Sequence, residues 1–391
     1  MMTEKLYEND SYIKEFDAAV LDCVPEGPKH WAVELDRTAF FPEGGGQSAD
    51  TGWLGDGRVY DVQIRENRIW HYTDVKRIPG EKVHGKICWE NRFSNMQQHS
   101  GEHIFSGLVH RHFGYDNVGF HLGSQAVTMD FNGVLTPEDI YRIETEVNGA
   151  IVQNVPIYVS YPDKEALKDL EYRSKIQIQG QVRLITVEGY DVCACCAPHV
   201  AHTGEIGLLK VTDFEKYKGG TRVSILCGFR ALENYRWILD ELRDISRRLS
   251  APLGSVAESV VHKLEELDEL RQKNVELTGR LIEKDIEGIP EDQENVWFFK
   301  EAMEMPAMRK AVNLALEKVD GCGGIFCGND TDGYKYIIGT RTKDARTLAA
   351  ALKEAFGARG GGSAQMVQGA VAASAEAIQT VLDEAAGEGL V

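Results

Sequence analysis

The 391-residue sequence predicts an α+β protein with four parts: a small N-terminal β-barrel, an α+β region, a long helical spacer and a C-terminal α/β domain. Three observations carry this. Short, partly alternating apolar runs broken by Gly, Pro and Asp clusters fill residues 1–88. Helical and strand-like periods then mix over 89–228. A stripe of Leu, Ile and Val at helical spacing occupies 229–286, ahead of a glycine-rich α/β stretch at 287–391.

In the first part the runs are Phe16–Leu21, Trp31–Leu35, Val59–Ile64 and Arg68–Tyr72. Their length and spacing fit a small barrel or sandwich. Phe40-Phe41-Pro42-Glu43-Gly44-Gly45-Gly46-Gln47 interrupts them. Three consecutive glycines allow positive φ and close approach of the backbone to another group. No Lys-Ser/Thr follows, which excludes a phosphate loop.

A helix is expected from near Trp89, with Phe93, Met96, Ile104, Phe105 and Leu108 on its apolar side. Gly119-Phe120-His121-Leu122-Gly123 reads as the opening of a strand at Ala126–Phe131. Thr136-Pro137-Glu138-Asp139 is a helix start: a Thr cap, Pro in the first turn and acids against the helix dipole. That helix runs to about Asn154. Strands near 155–160, 182–188, 206–212 and 222–227 complete helices packed on a mostly antiparallel sheet.

The spacer carries Leu232, Ile238, Leu239, Leu242, Ile245 and Leu249. Pro252 and Gly254 break it. Val256, Val260, Leu264, Leu267, Leu270, Leu277 and Leu281 resume it, and Gly288-Ile289-Pro290 ends it. The pattern fits a spacer, a dimerising coiled coil, or both. Beyond it, Gly323–Gly328 and Tyr336–Gly339 read as neighbouring strands, followed by a helix near 344–356. Gly360 to Ala370 reads as a glycine-rich turn ahead of a final helix. Such a turn either presents backbone N–H groups to phosphate or packs closely.

Two short spacings concentrate the chemistry. His99 and His103 are four apart, one turn on one face of the expected helix. Cys195 and His199 are four apart across a turn containing Pro198. Three imidazoles and one thiolate suit one zinc ion. The alternative is a set of buried, hydrogen-bonded histidines with an inert cysteine. Glu102 lies between the histidines, but its offset differs from that of a metalloprotease base and its helix face is expected to point elsewhere.

Composition narrows the function. Lys and Arg number 43 against 61 Asp and Glu, a net charge of −18, which argues against a generic nucleic-acid binder but not against a local basic track. The candidate tracks are Arg173/Lys175/Arg183, Arg243/Arg247/Arg248, and Arg341/Lys343/Arg346 with Arg359. Eight cysteines in so long a chain fit reduced thiols in a cytoplasm better than a disulfide scaffold. The first residues, Met1-Met2-Thr3-Glu4-Lys5-Leu6-Tyr7, show no secretory pattern, and no stretch has the length of a membrane span.

Four motifs together resemble one family. Phe41-Pro42-Glu43-Gly44-Gly45-Gly46-Gln47 resembles the glycine signature of alanyl-tRNA synthetases and freestanding alanyl-tRNA editing proteins. The pair His99-x-x-x-His103 and Cys195-x-x-x-His199, with Thr203-Gly204-Glu205-Ile206-Gly207 beyond it, resembles the metal motifs of their editing domain. Cys196-Ala197-Pro198 stands where the family usually has Gly-Gly-Thr. Residues 360–369 resemble the C-terminal domain shared by alanyl-tRNA synthetases and one phosphoesterase superfamily, although no Asp-His-His run accompanies them. Nothing resembles an aminoacylation domain, so the chain is similar to the long, freestanding editing form.

The resemblance implies a zinc-containing editing domain at 89–228 and one Zn²⁺ per chain on His99, His103, Cys195 and His199. It implies hydrolysis of mischarged tRNA(Ala), carrying serine or glycine. His121 and Asp191 are the residues expected to orient water or the substrate amine. Gly44, Gly45, Gly46 and Gln47 are expected at the pocket entrance. Gly360, Gly361 and Gly362 are expected to contact tRNA or hold a homodimer, for which the spacer is the other candidate surface. The competing class is a non-catalytic tRNA-binding protein, because four protein ligands fill a structural zinc site whereas a catalytic one keeps a position open.

Overall fold

The computed structural model describes residues 3–123, 126–174 and 180–387, and its contacts divide the chain into two compact units, Met1–Leu242 and Arg243–Val391. Met1, Met2 and Lys175 lie outside the described residues.

The first unit opens with β1 (Glu4–Lys5) and the single turn α1 (Leu6–Asn9). The runs of the sequence become β2 (Glu15–Pro25), β3 (Trp31–Leu35), β5 (Gly52–Leu54), β6 (Gly57–Arg65), β7 (Arg68–Thr73) and β8 (Lys82–Ile87); β4 (Arg37–Thr38) pairs with β1. Their pairings run β2-β3-β7-β6-β5-β8 and return to β2, so the ladder closes on itself as a barrel. Alternation puts Val20, Val33, Leu35, Leu54, Val59, Val62 and Val83 inside, with Phe40 and Phe41 filling the middle. His71 is sealed in this core between Thr38 and the Val33 carbonyl. Burial pushes its pKa down to about 4.

Helix α2 (Trp89–Phe113) follows directly and is buried over most of its length, Arg92 to Val109, polar residues included. Gly101 and Gly107 let neighbours come close. A Cβ on Gly101 would lie 2.5 Å from Cys227 Sγ, and one on Gly107 would lie 2.6 Å from the Tyr190 carbonyl. The expected opening stretch at 119–123 is a strand in its own right. β9 (Asn117–Leu122) pairs with β10 (Val127–Phe131), because His121 and Phe120 stand opposite Thr128 and Met129 in an antiparallel ladder. Helix α3 (Pro137–Gln153) starts on the expected cap, with Thr136 accepting from Asp139 N–H and Asp139 accepting in return.

The later strands separate into two antiparallel sheets instead of one. β11 (Ile157–Ser160), β12 (Leu184–Val187) and β13 (Asp191–Ala194) form one, with the short turn α4 (Ala166–Asp169) between β11 and β12. β14 (Leu209–Tyr217) and β15 (Gly220–Cys227) join β10 and β9 in the order β14-β15-β10-β9. Both sheets pack on α2 and α3 around Ile104, Leu108, Met129, Ile143, Val147, Ile185 and Ile225.

Helix α5 (Gly228–Leu249) stops ahead of Pro252, and α6 (Val256–Glu287) ends at Gly288. In the second unit β16 (Val296–Lys300), β17 (Cys322–Asn329) and β18 (Gly333–Thr340) carry α7 (Met305–Ala315) and the end of α6 on one face, over Ile325 and Ile337. α8 (Ala345–Phe356) and α9 (Ala375–Gly387) cover the other face, over Phe326, Tyr336 and Ile338. The expected glycine turn is corrected. Gly360, Gly361 and Gly362 lie in β19 (Arg359–Gly362), an edge strand paired with β20 (Met366–Val371), and only Ser363–Gln365 turn. A Cβ on Gly360 or Gly369 would lie 2.7 Å from the Tyr336 hydroxyl, so these glycines serve close packing over that ring.

Candidate metal centre

The four residues singled out by spacing converge. One ligand atom each from His99, His103, Cys195 and His199 can be chosen so that all lie within 4.8 Å of one another. The His99 Nε2 to Cys195 Sγ distance is 3.6 Å, and His199 Nε2 to the same sulfur is 3.4 Å. Tetrahedral zinc with bonds of about 2.0–2.3 Å places its ligand atoms roughly 3.3–3.8 Å apart, so the set fits. α2 supplies the two histidines one turn apart. The segment after β13 supplies the other pair, its turn pinned by Arg183 Nη1, which donates to the carbonyls of Cys195 at 2.8 Å and Ala197 at 3.0 Å.

Each imidazole is held by its other nitrogen. His99 Nδ1 lies 2.9 Å from Gln47 Oε1, His103 Nδ1 3.0 Å from Asp191 Oδ2, and His199 Nδ1 3.0 Å from Ser100 Oγ. The acceptors at His99 and His103 keep the proton on Nδ1, and the Ser100 hydroxyl is able to accept from His199 Nδ1 in the same way, an arrangement that leaves each Nε2 with a lone pair for a metal. Burial raises the Asp191 carboxyl, but hydrogen bonds from His103 and Arg173 outweigh it and hold the group below its ordinary value. Burial lowers His199 well below the imidazole range, helped by His103 and His99. Burial likewise pushes the Cys195 thiol up, with Cys196 adding to it. Both shifts favour the neutral forms of His199 and Cys195; a bound cation is what would make a thiolate favourable there.

Asp191 therefore acts through His103. Arg173 grips it with Nε at 2.7 Å and Nη2 at 2.9 Å, so both oxygens are engaged. Asp191 and Arg173 also line a cleft of about 880 Å³ with Gly107, Arg111, Asn117 and Cys193. The cleft reaches Asp191, the partner of His103 Nδ1. His121 is exposed on β9. The neighbouring Phe120, on the other face of the strand, is the one that reaches the centre, its ring 4.8 Å from that of His99.

Glu102 corrects the expectation from the helix face. It is 1 % exposed, its Oε1 accepts from Ser106 Oγ and Asn117 Nδ2, and its Oε2 lies 4.0 Å from His103 Nε2. The periodicity argument failed because α2 is packed on every side, so no face points away. Of the candidate basic residues, Arg173 pairs with Asp191 and Arg183 Nη1 donates to backbone carbonyls, while Arg247 and Arg248 pair with Asp244, Arg346 with Asp344 and Lys343 with Glu294.

Sequence reasoning missed Ser100, the grip of Arg173 on Asp191 and the contact from Gln47 to His99. One signal was present: Asp191 and Cys193 alternate on β13, so they share a strand face.

Residues 182–224 match the family model described as the threonyl and alanyl tRNA synthetase second additional domain. The alanyl-tRNA editing protein AlaX-L of Pyrococcus horikoshii is 29% identical over 96% of both chains. The alanyl-tRNA editing protein Aarsd1 of Rattus norvegicus is 31% identical over 69% of both. An alanine–tRNA ligase of Ignicoccus hospitalis is 33% identical over 72% of this chain, which spans 32% of that ligase.

Proposed function

The chain belongs to the alanyl-tRNA editing proteins, and from that premise we propose that it hydrolyses the ester of mischarged tRNA(Ala), with serine as the preferred amino acid and glycine as the second. The observation that carries the reading is the convergence of three Nδ1-anchored imidazoles and one cysteine sulfur. His99, His103, Cys195 and His199 would hold one zinc ion. Bound zinc supplies Lewis acidity, which polarises an ester carbonyl and eases deprotonation of water.

The protein's own groups divide the remaining work. Asp191, locked by Arg173, orients His103. Ser100 orients His199. Phe120 packs against His99 and limits water beside it. Gly44, Gly45 and Gly46 keep the approach to the centre free of side chains, which leaves room for the acceptor end of a tRNA. His121 is the exposed titratable group on β9 and is assigned the orientation of water or the substrate amine. Residues 1–88 and 89–228 form the editing portion, 229–286 the spacer and 287–391 the C-terminal domain. Gly360, Gly361 and Gly362 on the edge strand are assigned to tRNA contact, and the exposed apolar residues of the spacer to a homodimer.

The test is to incubate the zinc-loaded protein with seryl-, glycyl- and alanyl-tRNA(Ala) and follow loss of the ester. The expected result is rapid loss of the seryl ester, slower loss of the glycyl ester and an intact alanyl ester, with His121→Ala slowing the first. A protein that binds these tRNAs and leaves all three esters intact has a structural zinc, the filled tetrahedral site that four protein ligands permit.

A further inference from the structure

We propose that Gln47 is a positioning residue of the metal centre: it fixes the ring of His99, and the turn through Gly45 and Gly46 delivers it. This rests on the metal reading above. Gln47 is 1 % exposed, and its Oε1 lies 2.9 Å from His99 Nδ1. It belongs to the N-terminal β-region, whereas all four candidate ligands come from later in the chain. The centre is thus completed by a side chain from outside the elements that carry the ligands.

The turn explains the delivery. Gly44 N–H donates to the Gln47 carbonyl at 3.1 Å, and Gln47 N–H donates to the Gly44 carbonyl at 3.0 Å. Gly45 and Gly46 sit at φ +60° and +82°, the left-handed region. The Gly46 carbonyl accepts from Leu122 N–H at 2.8 Å, which fastens the turn to β9. A Cβ on Gly46 would lie 2.6 Å from the Phe120 carbonyl oxygen. A side chain there would lift the turn off β9 and withdraw the amide.

A second observation separates positioning from packing. Gln47 Nε2 is buried and finds no acceptor among the described residues. Leaving a buried amide donor unmet costs about 1–3 kcal/mol. An apolar side chain would fill the space without that cost. The amide is therefore retained for its oxygen, at the expense of stability. The same logic predicts that a carboxylate of equal length does as well, since it accepts from Nδ1–H and carries no orphan donor. Asp191 already serves His103 in that way.

The experiment uses the full-length protein, stripped of metal and titrated with Zn(II) against a chelator and with Co(II) by visible absorption. Gln47→Leu is expected to weaken zinc binding about 10–100-fold and to alter the Co(II) ligand-field bands, with the thermal midpoint of the metal-free protein unchanged or higher. Gln47→Asn keeps the polarity but loses the reach, so it behaves like Gln47→Leu. Gln47→Glu restores affinity to near that of the unsubstituted protein. Unchanged zinc affinity and Co(II) spectrum in both Gln47→Leu and Gln47→Asn overturn the proposal alone. So does a loss that Gln47→Glu fails to rescue, or one that appears only as the metal-free protein unfolds. If the unsubstituted protein binds no zinc, the metal reading falls and this proposal falls with it.

Discussion

Helices α2 and α6 are built on opposite terms. α2 is 25 residues long and buries Gln97, Gln98, His99, Ser100, Glu102, His103 and Ser106 beside its apolar residues. α6 is 32 residues long and exposes Val260, Val261, Leu264, Leu267, Leu270, Val275 and Leu277. In α2 most of the buried polar groups find specific partners, Gln97 Oε1 being an exception among the described residues. Gln98 exchanges two hydrogen bonds with the Cys227 backbone, at 2.7 and 2.8 Å, and Gln97 Nε2 donates to the Glu205 carbonyl at 2.8 Å. Arg92, fully buried, is held by Asp50 and by the Ser11 carbonyl at 3.0 Å. In α6 the apolar residues stay in water, and i,i+3 and i,i+4 ion pairs such as Lys263–Glu266 and Arg280–Glu276 line the surface. The contrast teaches that apolar content does not rank these helices by burial. What separates them is that most buried polar groups of α2 are given a partner, because each unmet buried donor or acceptor costs about 1–3 kcal/mol and a helix can carry few of them.

The largest test of that contrast removes a partner under α2. Asp50→Ala leaves the Arg92 guanidinium buried without its carboxylate and is expected to cost about 3–5 kcal/mol, read as a lower urea midpoint at unchanged slope. A loss below about 1 kcal/mol would mean that the carbonyls alone satisfy Arg92 and that the rule is weaker than stated.

Acid probes the same rule inside the barrel. His71 is buried as the neutral imidazole, with a folded pKa of about 4 against 6.5 as the ordinary value. The unfolded chain therefore binds the extra proton first. Stability from this group is fully present above pH 6.5 and is lost as pH falls through the window down to about 4, by about 3 kcal/mol in total. Urea titrations across that window should show this slope, and His71→Gln should flatten it.

The smallest expected effect is in α6. Leu264→Glu with Leu267→Glu should change unfolding free energy by less than about 0.5 kcal/mol, since both side chains are already solvated. Sedimentation sharpens the point: if the spacer is instead the dimer surface, the same pair of substitutions halves the mass in solution and lowers stability in a concentration-dependent way.

Much of the local architecture was legible in the sequence. Thr136-Pro137-Glu138-Asp139 placed the start of α3, and Pro252 and Gly254 placed the break between α5 and α6, because caps and breakers act within one turn. His99 and His103 could be put on one face for the same reason. Other features were not legible. Alternation over residues 15–87 left barrel and sandwich both open, since both need the same inward and outward pattern and only the β2–β8 pairing closes the ring. Gly360 to Gly362 read as a turn because glycine permits turns, yet here the missing Cβ admits the Tyr336 hydroxyl at Gly360 and the neighbouring strand at Gly360 and Gly362.

The sequence by itself determined which atoms are available: two helix-spaced imidazoles, a thiol and imidazole across a proline turn, and a glycine run ending in an amide. Tertiary structure decided what each does. Gln47 meets His99 across 52 residues and Asp191 meets His103 across 88. Contacts at that separation have no period in the sequence. They exist only where the closed barrel, α2 and β13 bring those side chains to one place. Spacing of four is a property of a single helix turn, whereas the choice of nitrogen on each imidazole belongs to the packing around it.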